Sequence, residues 1–365
     1  LPRSLTPDEE LSLIMLARQI QFHYELDSYT TDQLKQILKT VSKAEREILA
    51  RIHAYGVNLP SWSEEDSLAL LDHLHSMTMG LRGILENGIT QIGLEVGSAA
   101  ILMANEILSF GNRIAINNVA LTAEQLRSMA TETPVGGRLL YEWIEANYGG
   151  MIEGIREEIM AGMLKGESYP EFVSRLTKGF GMSREGSTRL ARTYVHSINT
   201  TAQEMVYNAN LDIIKGVVWT ATLESSYKGS GHGTCLRCAM LDGTFYPNGA
   251  NRPPLPLHPN CRCLFLPKLL TWKELGIDDF KELEDAFRPY TIRPDQSIDV
   301  GGRRAIEEHG FFQQDYKDWV LTRNDKFQLN LLGKNRYELF KSGKIKLEDL
   351  VDIETGRLIL LKELQ

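Results

Sequence analysis

All four cysteines of this 365-residue chain fall between positions 235 and 263, as Cys235-Leu-Arg-Cys238 and Cys261-Arg-Cys263, with His258 just ahead of the second pair. No other feature restricts the fold as tightly. A C-x-x-C turn can place two thiolates on one ion, and a second pair returning from a hairpin completes a tetrahedron. In an extended segment Cys261 and Cys263 project from the same face, because side chains alternate along a strand. Soft ligands in tetrahedral array suit Zn(II), so the pattern predicts a structural zinc site. The favoured ligand set is Cys235, Cys238, Cys261 and Cys263. His258 is the alternate ligand of a three-cysteine, one-histidine site, or a hydrogen-bonding residue of its loop. Inert buried thiols and a redox pair are the bland alternatives. The redox reading needs C-x-x-C at a helix start inside a βαβ pattern, and the sequence shows no such pattern.

Catalytic zinc would need an open coordination position and a nearby base. The local candidates are His232, Glu224 and Asp242. His232 lies in a glycine-rich loop, and Asp242 precedes Gly243 as a turn residue would. There is no H-E-x-x-H, no H-x-E paired with P-C-x-x-C, no Walker loop, no G-x-S-x-G and no paired-carboxylate motif. The sequence therefore predicts a protein without catalytic residues.

Around this cluster the chain reads as mainly α, with a helical N-terminal region, a small α+β zinc-pinned module and a helical C-terminal tail. Residues 1–110 read as helices: one opening at Thr6-Pro7-Asp8, a second near Thr31-Asp32, and a third at Ser63-Glu64 continuing with breaks towards Phe110. Glycines 80, 83, 88, 93 and 97 interrupt the third. They require either close-packed neighbours or a broken helix, since each costs about 1 kcal/mol relative to alanine. Residues 111–213 are again helical, with a capping box at Thr122, breaks at Pro134 and at Gly149-Gly150, and a helix starting at Ser183. Residues 214–270 switch to short β-branched and aromatic runs, with strands at 216–223 and 263–266, a turn at Leu241-Asp242-Gly243-Thr244 and an extended proline-rich segment at 252–259. Residues 271–365 return to helix, with a low-order stretch near 293–300 and a final helical pair over 315–341 and 347–351. No segment reads as a signal peptide, and the most membrane-like run, residues 89–110, carries Gln91, Glu95, Asn105 and Glu106.

Three blocks in order carry a family resemblance: Trp219-Thr-Ala-Thr-Leu223, Thr234-Cys-Leu-Arg-Cys-Ala-Met-Leu-Asp-Gly243 and Pro256-Leu-His-Pro-Asn-Cys-Arg-Cys263. Together they resemble the Mu F-like minor head (head morphogenesis) proteins of tailed phages. Leu190-Ala-Arg-Thr193 is similar to the family's R-T-E helix, and Met163-Leu-Lys-Gly-Glu-Ser168 to its earlier helix end. Leu332-Gly-Lys-Asn-Arg-Tyr-Glu-Leu-Phe340 and Leu347-Glu-Asp-Leu-Val351 resemble its C-terminal tail. The resemblance covers roughly residues 135 to 355. Tyr194 stands where the family usually has an acid, and residues 225–233 lengthen the loop before Cys235. The resemblance implies a minor capsid protein made in the host cytoplasm and incorporated in the virion at the portal vertex. Its partners would be the portal protein, other capsid proteins and phage DNA, with no membrane. A zinc-dependent enzyme acting on nucleic acid or peptidoglycan, and an ejected pilot or effector protein, are the alternatives.

The formal net charge of -8 excludes a generally basic coat around nucleic acid. It is unevenly spread: residues 1–170 hold 13 basic and 23 acidic side chains, residues 171–270 hold 11 and 6, and residues 271–365 hold 16 and 19. The one basic stretch contains the cysteines and a helix bearing Arg184, Arg189 and Arg192, the candidate DNA contacts.

Overall fold

The computed structural model describes residues 7–54, 64–111, 116–165, 169–224, 234–270, 274, 288–292, 308–312 and 315–364. These residues are mostly helical and include two three-stranded sheets. Four long helices account for most of them: α1 (Pro7–Ala54), α2 (Glu64–Gly111), α4 (Leu140–Lys165) and α5 (Tyr169–Asn208), with the short α3 (Ala123–Glu132) between α2 and α4.

The long helices run through several positions where the sequence predicts a boundary. Thr31-Asp32 does not open a second helix. Leu26, Thr30 and Leu34 recur on one buried face of α1, Thr30 Oγ1 donates to the Leu26 carbonyl at 2.6 Å, and Asp32 pairs with Lys35 at 2.9 Å. With no glycine or proline there to stop it, the apolar stripe continues at Val41 and Ile48. Nor does Gly149-Gly150 break α4: both glycines face open space, and their small propensity cost is outvoted by the helix formers around them. Helix α5 starts at Tyr169, not Ser183. Pro170 sits in its first turn, where a missing N–H costs nothing, and Glu171 faces the positive end of the dipole.

The chain gathers into two compact units, each assembled from separated stretches. One comprises Tyr24–Ala100 and Leu121–Thr201, and the other Leu1–His23, Ile101–Ala120 and Ala202–Gln365. They cut across the four consecutive blocks expected from sequence, because α1, α2 and α5 each contribute to both.

In the first unit, α1 buries Leu34, Val41 and Ile48, and α2 buries Leu81, Leu85, Ile89, Ile92 and Val96. Helix α3 is opened by the expected capping box, in which Gln125 N–H bonds Thr122 Oγ1 and Thr122 N–H bonds Gln125 Oε1. The α2 glycines do not break the helix. Gly80 and Gly83 face open space, whereas a side chain from a neighbouring helix enters above Gly93 and Gly97. A Cβ at Gly93 would overlap the hydroxyl and lie 2.8 Å from two ring carbons of Tyr194, which is wholly buried and donates to the Ala130 carbonyl at 2.6 Å. Tyr194 is thus a core residue seated in a glycine notch. Burial pushes its hydroxyl pKa far above the ordinary value. Gly93→Ala is expected to destabilise the chain by about 2 kcal/mol through overpacking. Adding Tyr194→Leu should recover part of that loss. Strict additivity of the two changes in denaturant titrations would show that they do not meet.

In the second unit, β1 (Ile214–Thr220) is the middle strand of an antiparallel sheet, flanked by β3 (Phe245–Pro247) and β4 (Leu264–Leu269). Trp219 is wholly buried and meets Phe265 of β4 edge-to-face at 5.5 Å. The short helix α6 (Leu236–Leu241) lies between β1 and β3 in sequence, and Gly243, at φ 77°, turns the chain into β3. The expected turn at 241–244 therefore follows a helix and does not join two strands. The proline-rich segment is non-helical as expected, but it bends at residues 255–256, where the Leu255–Pro256 peptide is cis.

The C-terminal tail is not purely helical. β5 (Arg288–Ile292) and β6 (Glu308–Phe312) pair antiparallel, and β2 (Leu223–Glu224) joins β5 in parallel. These strands are short and lack clean alternation, so periodicity misses them. The expected low-order stretch at 293–300 lies outside the described residues. Beyond it come α7 (Tyr316–Leu321), α8 (Asp325–Leu332) and α9 (Lys334–Lys341), capped at Asp315 and Asn324, and a 3-10 turn at Glu348–Leu350. Residues His75–Ser109 of α2 are long and apolar enough to cross a membrane by length and composition alone, and half of that window is buried.

Candidate metal centre

Helix α6 begins at the first C-x-x-C thiol. Cys235 is its N-cap, with Sγ accepting from the Cys238 N–H at 3.5 Å, so one helical turn brings Cys238 beside it. The proline-rich loop then returns His258 and the second cysteine pair to the same point, just before β4. His258 Nε2 lies 3.3 Å from Cys235 Sγ and 3.2 Å from Cys238 Sγ, and Cys238 Sγ lies 3.9 Å from Cys261 Sγ. Two overlapping triplets result, Cys235–Cys238–His258 and Cys238–Cys261–Cys263, with the donor atoms of each within 4.8 Å of one another. Cys238 belongs to both. Cys238, Cys261 and Cys263 are buried, while Cys235 and His258 are half-buried.

The spacing and chemistry fit a tetrahedral ion. Thiolates at about 2.3 Å from zinc stand about 3.8 Å apart, close to the observed separation of Cys238 and Cys261. All five sequence candidates come together, so the cluster could hold a metal ion. His258 is placed for either of the roles weighed for it: its Nδ1 lies 2.9 Å from the Pro259 carbonyl while Nε2 faces the thiols. A ligating histidine anchored by a carbonyl at its other nitrogen is the usual arrangement in metal sites.

The protein alone already biases the cluster towards charge. The Cys235 pKa is held down to about 4, chiefly by its hydrogen bond with Cys238 and further by His258, against burial. That of His258 is pushed up to about 11 by its hydrogen bonds with Cys235 and Cys261. Cys238 is raised, first by its bond with Cys235, and Cys263 is raised by burial. A metal-free cluster thus carries a Cys235 thiolate facing a His258 imidazolium. A divalent cation would displace the imidazolium proton and those of the remaining thiols.

No protein-family model, curated protein or solved structure matches the chain. The C-x-x-C does lie at a helix start, as a redox pair would require. β1 and β3, the strands of one sheet that flank α6 in sequence, pair antiparallel, however, so no βαβ unit surrounds it among the described residues.

The residues weighed for catalysis separate. His232 and the Glu224 side chain lie outside the described residues. Asp242 is completely buried at the end of α6; its Oδ1 accepts from the Ala221 N–H at 2.7 Å and its Oδ2 from the Tyr316 N–H at 2.5 Å. Lys317 Nζ adds a bond to the Asp242 carbonyl at 2.6 Å. Sequence reasoning treats this aspartate as a turn residue, because its partners lie 21 and 74 positions away. Of the basic candidates, Arg189 is exposed on α5, Arg192 is half-buried with Nη2 donating to Thr31 Oγ1 at 3.2 Å, and the Arg184 side chain lies outside the described residues.

Proposed function

We propose that this chain is a minor capsid protein of a tailed bacteriophage, acting in head morphogenesis at the portal vertex, with a structural zinc ion pinning its cysteine module. The observation that carries the reading is that the two blocks holding the metal-ligand pattern of the Mu F-like resemblance, 234–243 and 256–263, converge on one cluster of donors. The third block, 219–223, ends β1 and reaches β2 beside them. The zinc ligands are Cys235, Cys238, Cys261 and His258. This choice departs from the all-cysteine set favoured by sequence because His258 Nε2 is in short contact with two thiols and hydrogen-bonds the third. Cys263 stands beside the site as a buried thiol. The ion's role is to cross-link α6 to the proline-rich loop, which a small sheet cannot hold by core burial alone.

The portal and other capsid proteins are the proposed partners, and the long helices are the proposed docking surface. Contact with packaged DNA runs through the exposed Arg189 and is modest and salt-sensitive. Two measurements test the reading. Elemental analysis of the purified full chain is expected to find about one zinc per chain, and asymmetric imaging of virions is expected to place the protein at the portal vertex. Normal heads assembled without this protein would overturn the capsid role, and a zinc-free folded chain would overturn the metal.

A further inference from the structure

The metal cluster is overlaid by the last residues of the chain, and the contacts are specific. Arg237, inside the C-x-x-C, donates Nε to the Gly356 carbonyl at 2.6 Å. Tyr246 of β3 donates its hydroxyl to the Ile353 carbonyl at 2.7 Å. Gly356, at φ 65°, presses against the proline-rich loop: a Cβ there would lie 2.8 Å from Leu257 and 3.1 Å from Pro253. Leu257 immediately precedes His258. The 3-10 turn Glu348–Leu350 also packs on α6, with Leu347, Leu350 and Val351 buried. Residues 345–364 thus form a strap whose seat is made of two pieces, α6 and the proline-rich loop. Those are the same two pieces that the donor cluster joins.

We propose that metal binding and strap docking are thermodynamically coupled, so that the C-terminal strap is a latch closed by the metal. The inference rests on the zinc reading above. The strap can engage Arg237 and Leu257 together only when α6 and the loop are held in register, which is what an ion shared by Cys235, Cys238, Cys261 and His258 does. Linkage makes the effect reciprocal: whatever factor the metal adds to strap docking, the docked strap adds to metal affinity. A regulator that removed the metal would therefore also free the C-terminal residues.

Hydrogen exchange of the full chain, zinc-saturated and then stripped with excess EDTA, reads the first half of the cycle. The amides of Asp352, Gly356 and Ile359 are internally bonded in the docked strap. Their exchange is expected to accelerate by at least about tenfold on zinc removal, while the α2 amides around Ile89 stay unchanged. The second half is read by zinc competition titrations of Arg237→Met, which keeps the aliphatic stem but supplies no donor to Gly356. Its zinc affinity is expected to fall about tenfold although position 237 is not a ligand. Tyr246→Phe, which removes a strap bond made from β3 and changes no residue of α6 or of the loop, should weaken zinc binding in the same direction and guards against misfolding of the first variant. Zinc bound normally with strap exchange unaffected by its removal would overturn the latch and leave the metal reading intact. No zinc binding by the parent chain would overturn both.

Discussion

Cys238→Ser is expected to strip the chain of zinc and to cost its cysteine module on the order of 10 kcal/mol, the free energy that a filled structural site contributes. Cys238 is the donor common to both triplets, so neither survives its loss. His258→Gln is expected to be nearly as damaging, because the imidazole is in contact with two thiols and is anchored at its far nitrogen. Cys263→Ser is expected to retain stoichiometric zinc. Metal content and thermal unfolding of the three variants decide the ligand set. Zinc retained by Cys238→Ser would dispose of the site altogether, and zinc lost from Cys263→Ser but kept by His258→Gln would restore the all-cysteine set.

The same site dictates a pH dependence. In the metal-free chain, the depressed pKa of Cys235 contributes stability that is present above its ordinary value and lost as pH falls through about 4. The raised pKa of His258 contributes stability present below its ordinary value and lost as pH rises through about 11. Zinc binding must displace the proton of His258 and those of the ligand thiols that carry one, Cys238 among them, so its apparent affinity should fall by at least about a hundredfold per pH unit on acidification where they are protonated. A zinc affinity flat between pH 8 and pH 6, about the range in which these protons are held, would contradict the raised pKa values of His258 and Cys238.

Asp242→Ala is the second large expected effect. Its carboxylate receives two buried backbone N–H groups, one before β2 and one at the start of α7, and ties the sheet to the C-terminal helices. Hydrogen bonds to a charged group contribute about 1.5–3 kcal/mol each, and removal of the acceptor leaves both donors unsatisfied. A loss of about 4 kcal/mol follows, measurable as a fall in the denaturant midpoint. Asp242→Asn keeps one acceptor and presents an NH2 to the other donor, so it should lie between the two. A change below about 0.5 kcal/mol for the alanine variant would be the magnitude of an ordinary surface position and would show that the tie is not structural.

What the sequence discloses here follows the range of the interactions. The Thr122 capping box and the cysteine cluster are local patterns that appear where their residues predict them, and the strand expected over 216–223 is found over 214–220, with 223–224 in a second strand. Helix boundaries were less legible. Thr31-Asp32, Gly149-Gly150 and Ser183 look like starts or stops, yet such signals amount to about 1 kcal/mol each and yield to a continuous apolar stripe. The Tyr194–Gly93 notch, the Asp242 tie and the Arg237–Gly356 bond join residues 101, 74 and 119 positions apart, and no window of sequence contains both ends. A completely buried aspartate or tyrosine is recognised only once its distant partner is in place.

The discontinuous units bear on how such a chain could be divided in a cell. Residues 1–110 read as a separate helical block in sequence. Yet that stretch supplies α1 and α2, and each of the two units takes part of both helices. A protease nick between α2 and α3 would leave both fragments still embedded in both units. To part company, the fragments would have to break the packing of Tyr194 and Met129 over Gly93 and Gly97 in one unit and the Gln19–Tyr207 hydrogen bond of 3.1 Å in the other. A severed N-terminal half would therefore remain held until both units had opened.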